Sequence, residues 1–220
     1  MDANLTDDEK LEQIKKWWGE NGGSIITGVV LGLAVLFGGK AWFSWQERNA
    51  QTASNLYTVL MNSMAGGDAM AVSQKAGVLV ADYGDTPYAA LASLALAKVR
   101  IEAGELEAAQ AQLEWVVENG KSDIMQDTAR LRLARVLIAM ENFEGAETLL
   151  NQGVKGDAFA PLYTEARGDV FVARGNLTAA NQAYREALAA TAAASPGRHL
   201  LELKYRSTQV ASADAGALQE

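Results

Sequence analysis

The longest apolar stretch of the chain covers residues 21–39 and carries no charged residue. At about 1.5 Å of rise per residue, a helix of this length extends about 28 Å, close to the roughly 30 Å thickness of a bilayer hydrocarbon core. Lysine and tryptophan flank it on both sides, at residues 15–18 and 40–45, where cations and indole rings settle at membrane interfaces. The pattern predicts one transmembrane helix across residues 21–45.

Two other interpretations of this stretch stay open. A buried helix of a soluble core can be apolar, although rarely on all sides over such a length. A signal peptide cleaved near Gly39-Lys40-Ala41 would normally start with a short basic segment, whereas residues 1–20 are rich in acids. The positive-inside rule only weakly favours a cytoplasmic tail of residues 1–20, because the lysines before the span barely outnumber the cations after it.

Apolar residues at helical spacing continue beyond the span. They predict that the helix of the span runs on to about Gly66 and that a second helix covers residues 69–82. Gly84 then ends this second helix, Thr86 caps the next one and Pro87 occupies its first position.

Internal repetition dominates the chain from Pro87 onward. Three turn positions, Gly104, Glu141 and Gly175, follow one another at intervals of 37 and 34 residues. A small residue stands seven positions before each turn and an alanine five positions after it: Ala97, Ala134, Gly168, Ala109, Ala146 and Ala180. Large side chains stand two and nine positions after each turn: Leu106, Phe143, Leu177, Leu113, Leu150 and Tyr184.

This spacing predicts helical hairpins that stack on one another, with the small residues where paired helices cross. The pattern resembles the tetratricopeptide repeat, although the aromatic residue that often opens the first helix is replaced by Ser93, Arg130 and Thr164. Residues 50–83 are predicted to form a further, degenerate hairpin. The expected fold class is all-α: a single N-terminal transmembrane helix followed by a tetratricopeptide-repeat-like α-solenoid.

The repeat domain is expected to cover residues 46–210. Pro196 and Gly197 break its last repeat helix, and a closing helix is expected over residues 199–208. Residues 211–220 are expected to form a flexible tail.

Two surfaces are predicted to contact partners. In the span, Ser24, Gly28 and Gly32 recur every fourth residue and form a smooth stripe, on which another transmembrane helix can approach closely. In the repeat domain, a groove that suits a peptide segment is expected along the first helices of the hairpins. Its predicted lining residues are Leu94, Lys98, Ile101, Leu131, Arg135, Ile138, Glu165, Asp169 and Val172.

Composition and chemistry argue against nucleic-acid binding and catalysis. The chain has 27 acidic and 19 basic residues and a net charge of −8, a poor match for nucleic acid. Its one local basic cluster, Arg130, Arg132 and Arg135, is predicted to be a solvated helix face. The single histidine, His199, cannot build a multi-histidine metal site and is expected at a helix start, and Glu105 and Glu107 are expected at another exposed helix start. No phosphate-binding or nucleophile motif is found, so neither catalysis nor a cofactor or metal is expected.

Several stretches together are similar to one known family. Residues 13–22 (QIKKWWGENG), the glycine-rich span, residues 42–45, residues 88–94 and residues 131–136 resemble the YfgM-type ancillary subunits of the SecYEG translocon of Gram-negative bacteria. The resemblance implies an inner-membrane protein with a cytoplasmic N-terminus and a periplasmic repeat domain. It also implies association with SecYEG, contact with the periplasmic chaperone PpiD, and a contact of the cytoplasmic tail with the regulator RcsB.

Two other function classes are alternatives to a translocon subunit. An envelope enzyme such as a peptidoglycan hydrolase would need a catalytic lobe for which the repeats leave no residues. A repeat scaffold for envelope assembly or stress signalling, without a direct role in secretion, has the same sequence features apart from the family resemblance.

Overall fold

Helices follow one another along the described chain. The protein is represented by a computed structural model that describes residues 7–217, with side chains described for residues 10–209. Within these residues there are nine α-helices, one 3₁₀ turn at Asp157–Phe159, and no β-strand. The helices are α1 Asp7–Ala65, α2 Ala69–Tyr83, α3 Pro87–Glu102, α4 Leu106–Asn119, α5 Asp123–Ala139, α6 Phe143–Asn151, α7 Ala160–Ala173, α8 Leu177–Ala190 and α9 Arg198–Ala217. The all-α prediction is confirmed.

The chain divides into two units after Gln51, and α1 contributes to both of them. In the first unit, the consecutive residues Val29, Val30 and Leu31 are each more than half exposed. Because successive helical residues point about 100° apart, this helix exposes apolar side chains on all sides. That pattern does not fit the buried core helix of a soluble protein, and the helix is long and apolar enough to cross a membrane.

The second unit begins at Thr52 and contains the predicted hairpins. The three predicted turn residues all have a positive φ: 76° at Gly104, 60° at Glu141 and 76° at Gly175. After each of them, the next backbone N–H donates to a carbonyl five residues back, for example from Glu105 to Arg100 at 2.9 Å. This is the hydrogen bond of a Schellman motif, which ends one helix where the chain reverses into the next.

A fourth turn of the same kind occurs at Gly67. Its φ is 73°, and the N–H of Asp68 donates to the carbonyl of Ser63 at 3.0 Å. The end of α1 and α2 therefore form the further hairpin that was predicted as degenerate. It is harder to recognise from sequence because its crossing positions hold the large residues Leu60 and Val72, both fully buried.

The small residues at the predicted crossings are buried in all three hairpins. Ala109, Ala146 and Ala180 have no exposed surface, and Gly168 is also buried. The large residues nine positions beyond each turn, Leu113, Leu150 and Tyr184, complete the core around them. The repeat alignment is therefore consistent with the packing of the domain.

Two details at helix ends differ from the prediction. Thr86 precedes α3, but its hydroxyl donates to the carbonyl of Tyr83 at 2.8 Å and makes no capping bond to α3. At the carboxyl end, α9 runs from Arg198 to Ala217 and is longer than the predicted closing helix. Residues 211–217, predicted as part of a flexible tail, are therefore helical, and residues 218–220 lie outside the described residues.

Candidate binding surface

The first helices of the four hairpins present equivalent residues in parallel rows, because their turns have the same geometry. Three positions before each turn residue, every hairpin has a partly exposed apolar side chain: Met64, Ile101, Ile138 and Val172. Six positions before the turn the side chains are mostly polar: Met61, Lys98, Arg135 and Asp169. We call the surface formed by these two rows the ladder face.

Neighbouring hairpins bring these rows together. Helix α3 contacts α5, and α5 contacts α7. At one end of the domain, Met61, Met64 and Lys98 line a depression of about 540 Å³. At the other end, Ile138 and Val172 line an open depression of about 440 Å³ beside α9. The ladder face is thus a continuous feature of the domain with a depression at each end.

Three of the predicted groove residues do not line an open surface. Leu94, Leu131 and Glu165, ten positions before their turns, are 8%, 6% and 7% exposed. Leu94 and Leu131 belong to the main hydrophobic core, because this position points toward the neighbouring helices. The prediction is corrected for these three residues, while the other six predicted positions lie on the ladder face.

A cluster of three charged side chains, Lys204, Glu165 and Asp169, lies at the α7 end of the ladder face. The ammonium of Lys204 on α9 lies 2.7 Å from Oε1 of Glu165 and 2.7 Å from Oδ1 of Asp169 on α7. Lys204 is not among the predicted site residues, because it comes from a helix distant in sequence. Glu165 and Asp169, four residues apart on one side of α7, were the available signal that a cation from another element lies nearby.

Tyr184 of α8 joins this cluster. Its hydroxyl donates to Oδ1 of Asp169 at 2.7 Å, and the Lys204 ammonium lies 5.8 Å from the centre of its ring. Burial, together with the hydrogen bond to the Asp169 carboxylate, raises the pKa of Tyr184 well above its usual range. The phenol therefore stays neutral and acts as a hydrogen-bond donor.

The predicted arginine cluster divides into two environments. Arg132 and Arg135 are exposed, as predicted, but Arg130 is only 7% exposed. Its guanidinium donates to Oδ1 of the fully buried Asp127 at 2.8 Å. The prediction of a solvated face is therefore wrong for Arg130, because a buried carboxylate one helical turn away requires a partner.

Asp127 also holds the connection between α6 and α7. Its carboxylate accepts hydrogen bonds from the backbone N–H of Lys155 at 3.0 Å and of Gly156 at 2.9 Å. The Tyr163 hydroxyl donates to the backbone carbonyl of Asp127 at 3.4 Å, and burial raises the pKa of Tyr163. These bonds serve the structure of the loop, and they leave Asp127 no free position for a ligand.

The predicted stripe in the first unit is open. A β-carbon added at Gly28 or Gly32 would have no neighbour within 4 Å. The flanking indoles are also exposed: Trp17 and Trp18 lie 6.5 Å apart between ring centres, and Trp42 and Trp45 lie 5.5 Å apart.

The residues predicted to be catalytically inert are exposed. His199 lies in the first turn of α9, and Glu105 and Glu107 lie at the start of α4. Among the described residues, no group of three or more histidine, cysteine, aspartate or glutamate side chains is arranged to hold a metal ion.

Comparison with known proteins agrees with this architecture. Residues 15–210 match the family model of the tetratricopeptide repeat-like domain. A protein of Haemophilus influenzae named ancillary SecYEG translocon subunit is 30% identical over 187 residues, which is 85% of this chain and 91% of the relative. Proteins of the same name from Escherichia coli and Neisseria gonorrhoeae are 30% and 28% identical, over 84% and 94% of this chain and 88% and 99% of the relatives.

Fold and sequence define the class as a tetratricopeptide repeat-like protein with one N-terminal helix long and apolar enough to span a membrane. Within that class, the chain belongs to the family of ancillary SecYEG translocon subunits. The resemblance found in the sequence is confirmed.

Proposed function

We propose that this protein is a membrane-anchored, non-catalytic interaction subunit of the SecYEG translocon. In this proposal residues 1–20 lie in the cytoplasm, residues 21–45 cross the inner membrane, and the repeat domain works in the periplasm. The names of the relatives support the Sec association, and the exposed apolar helix supports the anchor.

The ladder face carries the proposal that the domain binds polypeptide. The large apolar side chains of Ile101 and Val172 are 39% and 41% exposed at the same position of the second and fourth hairpins, and Ile138 of the third hairpin is partly exposed there. An apolar row flanked by charged residues suits a peptide segment. We propose that this segment belongs to a periplasmic chaperone such as PpiD, so that secreted chains pass from the translocon to folding factors.

A co-purification experiment tests this binding role. The full chain, extracted in mild detergent, is expected to recover SecY and PpiD, and Ile101→Ser is expected to reduce PpiD recovery while leaving SecY recovery unchanged. Val78→Ser is the matched control, because Val78 is 42% exposed, close to the exposure of Ile101, and lies on α2, the second helix of its hairpin, outside the ladder face. Recovery of division or outer-membrane assembly proteins instead of SecY would favour an envelope scaffold.

The stripe in the span is proposed as the contact with a translocon helix. Gly28→Leu combined with Gly32→Leu is expected to weaken SecY recovery without blocking insertion, because bulk prevents close helix approach while adding hydrophobicity. Ala34→Leu with Gly38→Leu adds similar bulk on another side of the helix and should leave recovery intact. Equal recovery from both variants would make the stripe a lipid-facing surface.

Protease protection tests the orientation. Protease added to spheroplasts should degrade the repeat domain and spare a tag at residue 1, which would remain available for the proposed contact with RcsB. A shorter, tagless soluble form in the periplasm would instead indicate cleavage near Gly39-Lys40-Ala41.

A further inference from the structure

Two neighbouring positive charges lie at the middle of the ladder face: Arg135, which belongs to it, and Arg132, which precedes Arg135 by three residues on the same helix. Arg132 and Arg135 are both exposed on α5. Being three residues apart, they lie on the same side of the helix, with about 5–6 Å between their β-carbons. Among the side chains described for residues 10–209, neither guanidinium has a carboxylate partner.

The other charges of the ladder face are already compensated within the chain. Lys98 lies 3.2 Å from Glu102, and Asp169 is bound by Lys204. The ladder face therefore has a positive excess at its centre, although the whole chain has a net charge of −8. A local charge opposite to that of the whole protein favours an acidic partner at this place.

Apolar side chains lie beside the two arginines. Ile138 follows Arg135 by three residues on α5, and Ile101 occupies the equivalent position on α3, which contacts α5. Guanidinium groups bind carboxylates through paired hydrogen bonds, and the isoleucines offer apolar contact area. A partner that pairs with the arginines and also contacts the isoleucines must combine acidic and apolar groups within a short distance.

We propose that the middle of the ladder face binds a polypeptide segment in which Asp or Glu residues alternate with large apolar residues. The carboxylates pair with Arg132 and Arg135, and the apolar side chains contact Ile101 and Ile138. The inference rests on the proposed function, and it names the chemical class of the segment. Anionic lipid is the weaker candidate, because its headgroups offer negative charge without large apolar side chains beside it that could contact Ile101 and Ile138.

Labelled peptides test this selectivity on the full chain in detergent. The acidic probe is a short fluorescein-labelled peptide of alternating Leu and Glu, and the neutral probe has Gln in place of Glu. Fluorescence anisotropy at low salt should show about tenfold tighter binding of the acidic probe, and added salt should reduce the difference. Arg132→Gln with Arg135→Gln should abolish the preference.

Two controls accompany this experiment. Arg185→Gln removes the same charge from an exposed position on α8 and should keep the preference. Arg132→Glu with Arg135→Glu should reverse it, so that a probe with Lys in place of Glu binds tighter than the acidic probe.

The outcomes separate this inference from the proposed function. Equal binding of the acidic and neutral probes, or binding of neither, overturns the inference even if PpiD recovery depends on Ile101. Arginine-dependent binding to phosphatidylglycerol vesicles without binding of the acidic probe also overturns it. A clear preference for the acidic probe supports it, even if Ile101→Ser leaves PpiD recovery unchanged and the proposed function fails.

Discussion

The ring of Tyr184 on α8 lies against the backbone of Gly168 on α7. A β-carbon added at Gly168 would be 2.4 Å from Cε1 of the ring, which is far closer than atoms can approach without displacement. The ring cannot move freely, because it is only 2% exposed and its hydroxyl is bonded to Asp169. The two preceding hairpins have alanine and leucine at the same positions: Ala97 with Leu113, and Ala134 with Leu150.

Gly168→Ala is therefore expected to destabilise the domain by about 1–3 kcal/mol through overpacking, although alanine is the better helix former. Urea unfolding of a fragment that starts at residue 46 measures the change, with Trp115 as its single tryptophan. In a Tyr184→Leu background, which gives the alanine–leucine pairing of the two preceding hairpins, the same substitution should cost much less.

Gly77→Ala is the matched control for this prediction. Gly77 lies within α2, and a β-carbon added there has no neighbour within 4 Å. Alanine should stabilise the helix by up to about 1 kcal/mol at that position. Stabilisation by Gly168→Ala as well would show that the Tyr184 ring adapts and that the close crossing is unimportant.

Glu141 is expected to be a strained turn residue. Its φ of 60° is the one positive value found at a residue other than glycine in the described chain. The left-handed conformation costs a residue other than glycine about 1–2 kcal/mol. Glycine removes this strain, but it loses more chain entropy on folding, so only part of the strain energy appears as added stability. Glu141→Gly should therefore raise the free energy of unfolding by roughly 0.5–1 kcal/mol, and a decrease would contradict the assignment.

The reverse substitution tests the same cause. Gly104 has a φ of 76° at the equivalent turn and an open environment around its missing β-carbon. Gly104→Glu should lower the stability by about 1–2 kcal/mol for conformational reasons alone. Glu141→Gln is the control for charge, because it removes the carboxylate but keeps a side chain that disfavours the left-handed conformation, and it should leave the stability nearly unchanged.

The repeats were predictable because their signals are local. A turn that needs a positive φ favours glycine, and a close helix crossing needs a small side chain, so Gly104 and Ala109 mark their hairpin at fixed spacing. The hairpin at Gly67 was less clear, because Leu60 and Val72 occupy its crossing positions. This hairpin has no small residue at its crossing, although its turn at Gly67 has the same positive φ as the others.

The polar interactions of the domain were not predictable in the same way. Lys204 lies 39 residues from Glu165 in the chain, and no periodic pattern joins them. In the sequence, Arg130 cannot be distinguished from Arg132 and Arg135. Its burial depends on the α6–α7 connection, whose Lys155 and Gly156 N–H groups donate to Asp127, the partner of Arg130. Such pairs depend on tertiary contacts between elements rather than on residue spacing within one.

Asp127 is expected to be essential for the stability of the α6–α7 connection. Asp127→Ala leaves the Arg130 guanidinium buried without its partner, which should cost on the order of 3–5 kcal/mol. Hydrogen exchange should also accelerate at the amides of Lys155 and Gly156, which lose their acceptor.

A double variant separates these contributions. Asp127→Ala with Arg130→Met removes both buried charges and should cost clearly less than the sum of the two single substitutions. Asp123→Ala is the control, because that carboxylate is 64% exposed on the same helix and should change stability little. Strict additivity would mean that the buried pair makes no coupled contribution.

Lys204 is expected to stabilise the domain by neutralising Glu165 and Asp169. Lys204→Met keeps much of the apolar stem but leaves two carboxylates that are 10% and 20% exposed without their cation. Because Lys204 itself is 26% exposed, the cost should be about 2 kcal/mol, below that of breaking a fully buried pair. Lys121→Met, which removes a largely exposed ion pair with Asp85, should cost less than about 0.5 kcal/mol. In a Glu165→Gln, Asp169→Asn background the Lys204→Met substitution should have almost no effect, and an undiminished loss there would assign the role of Lys204 to packing instead of charge.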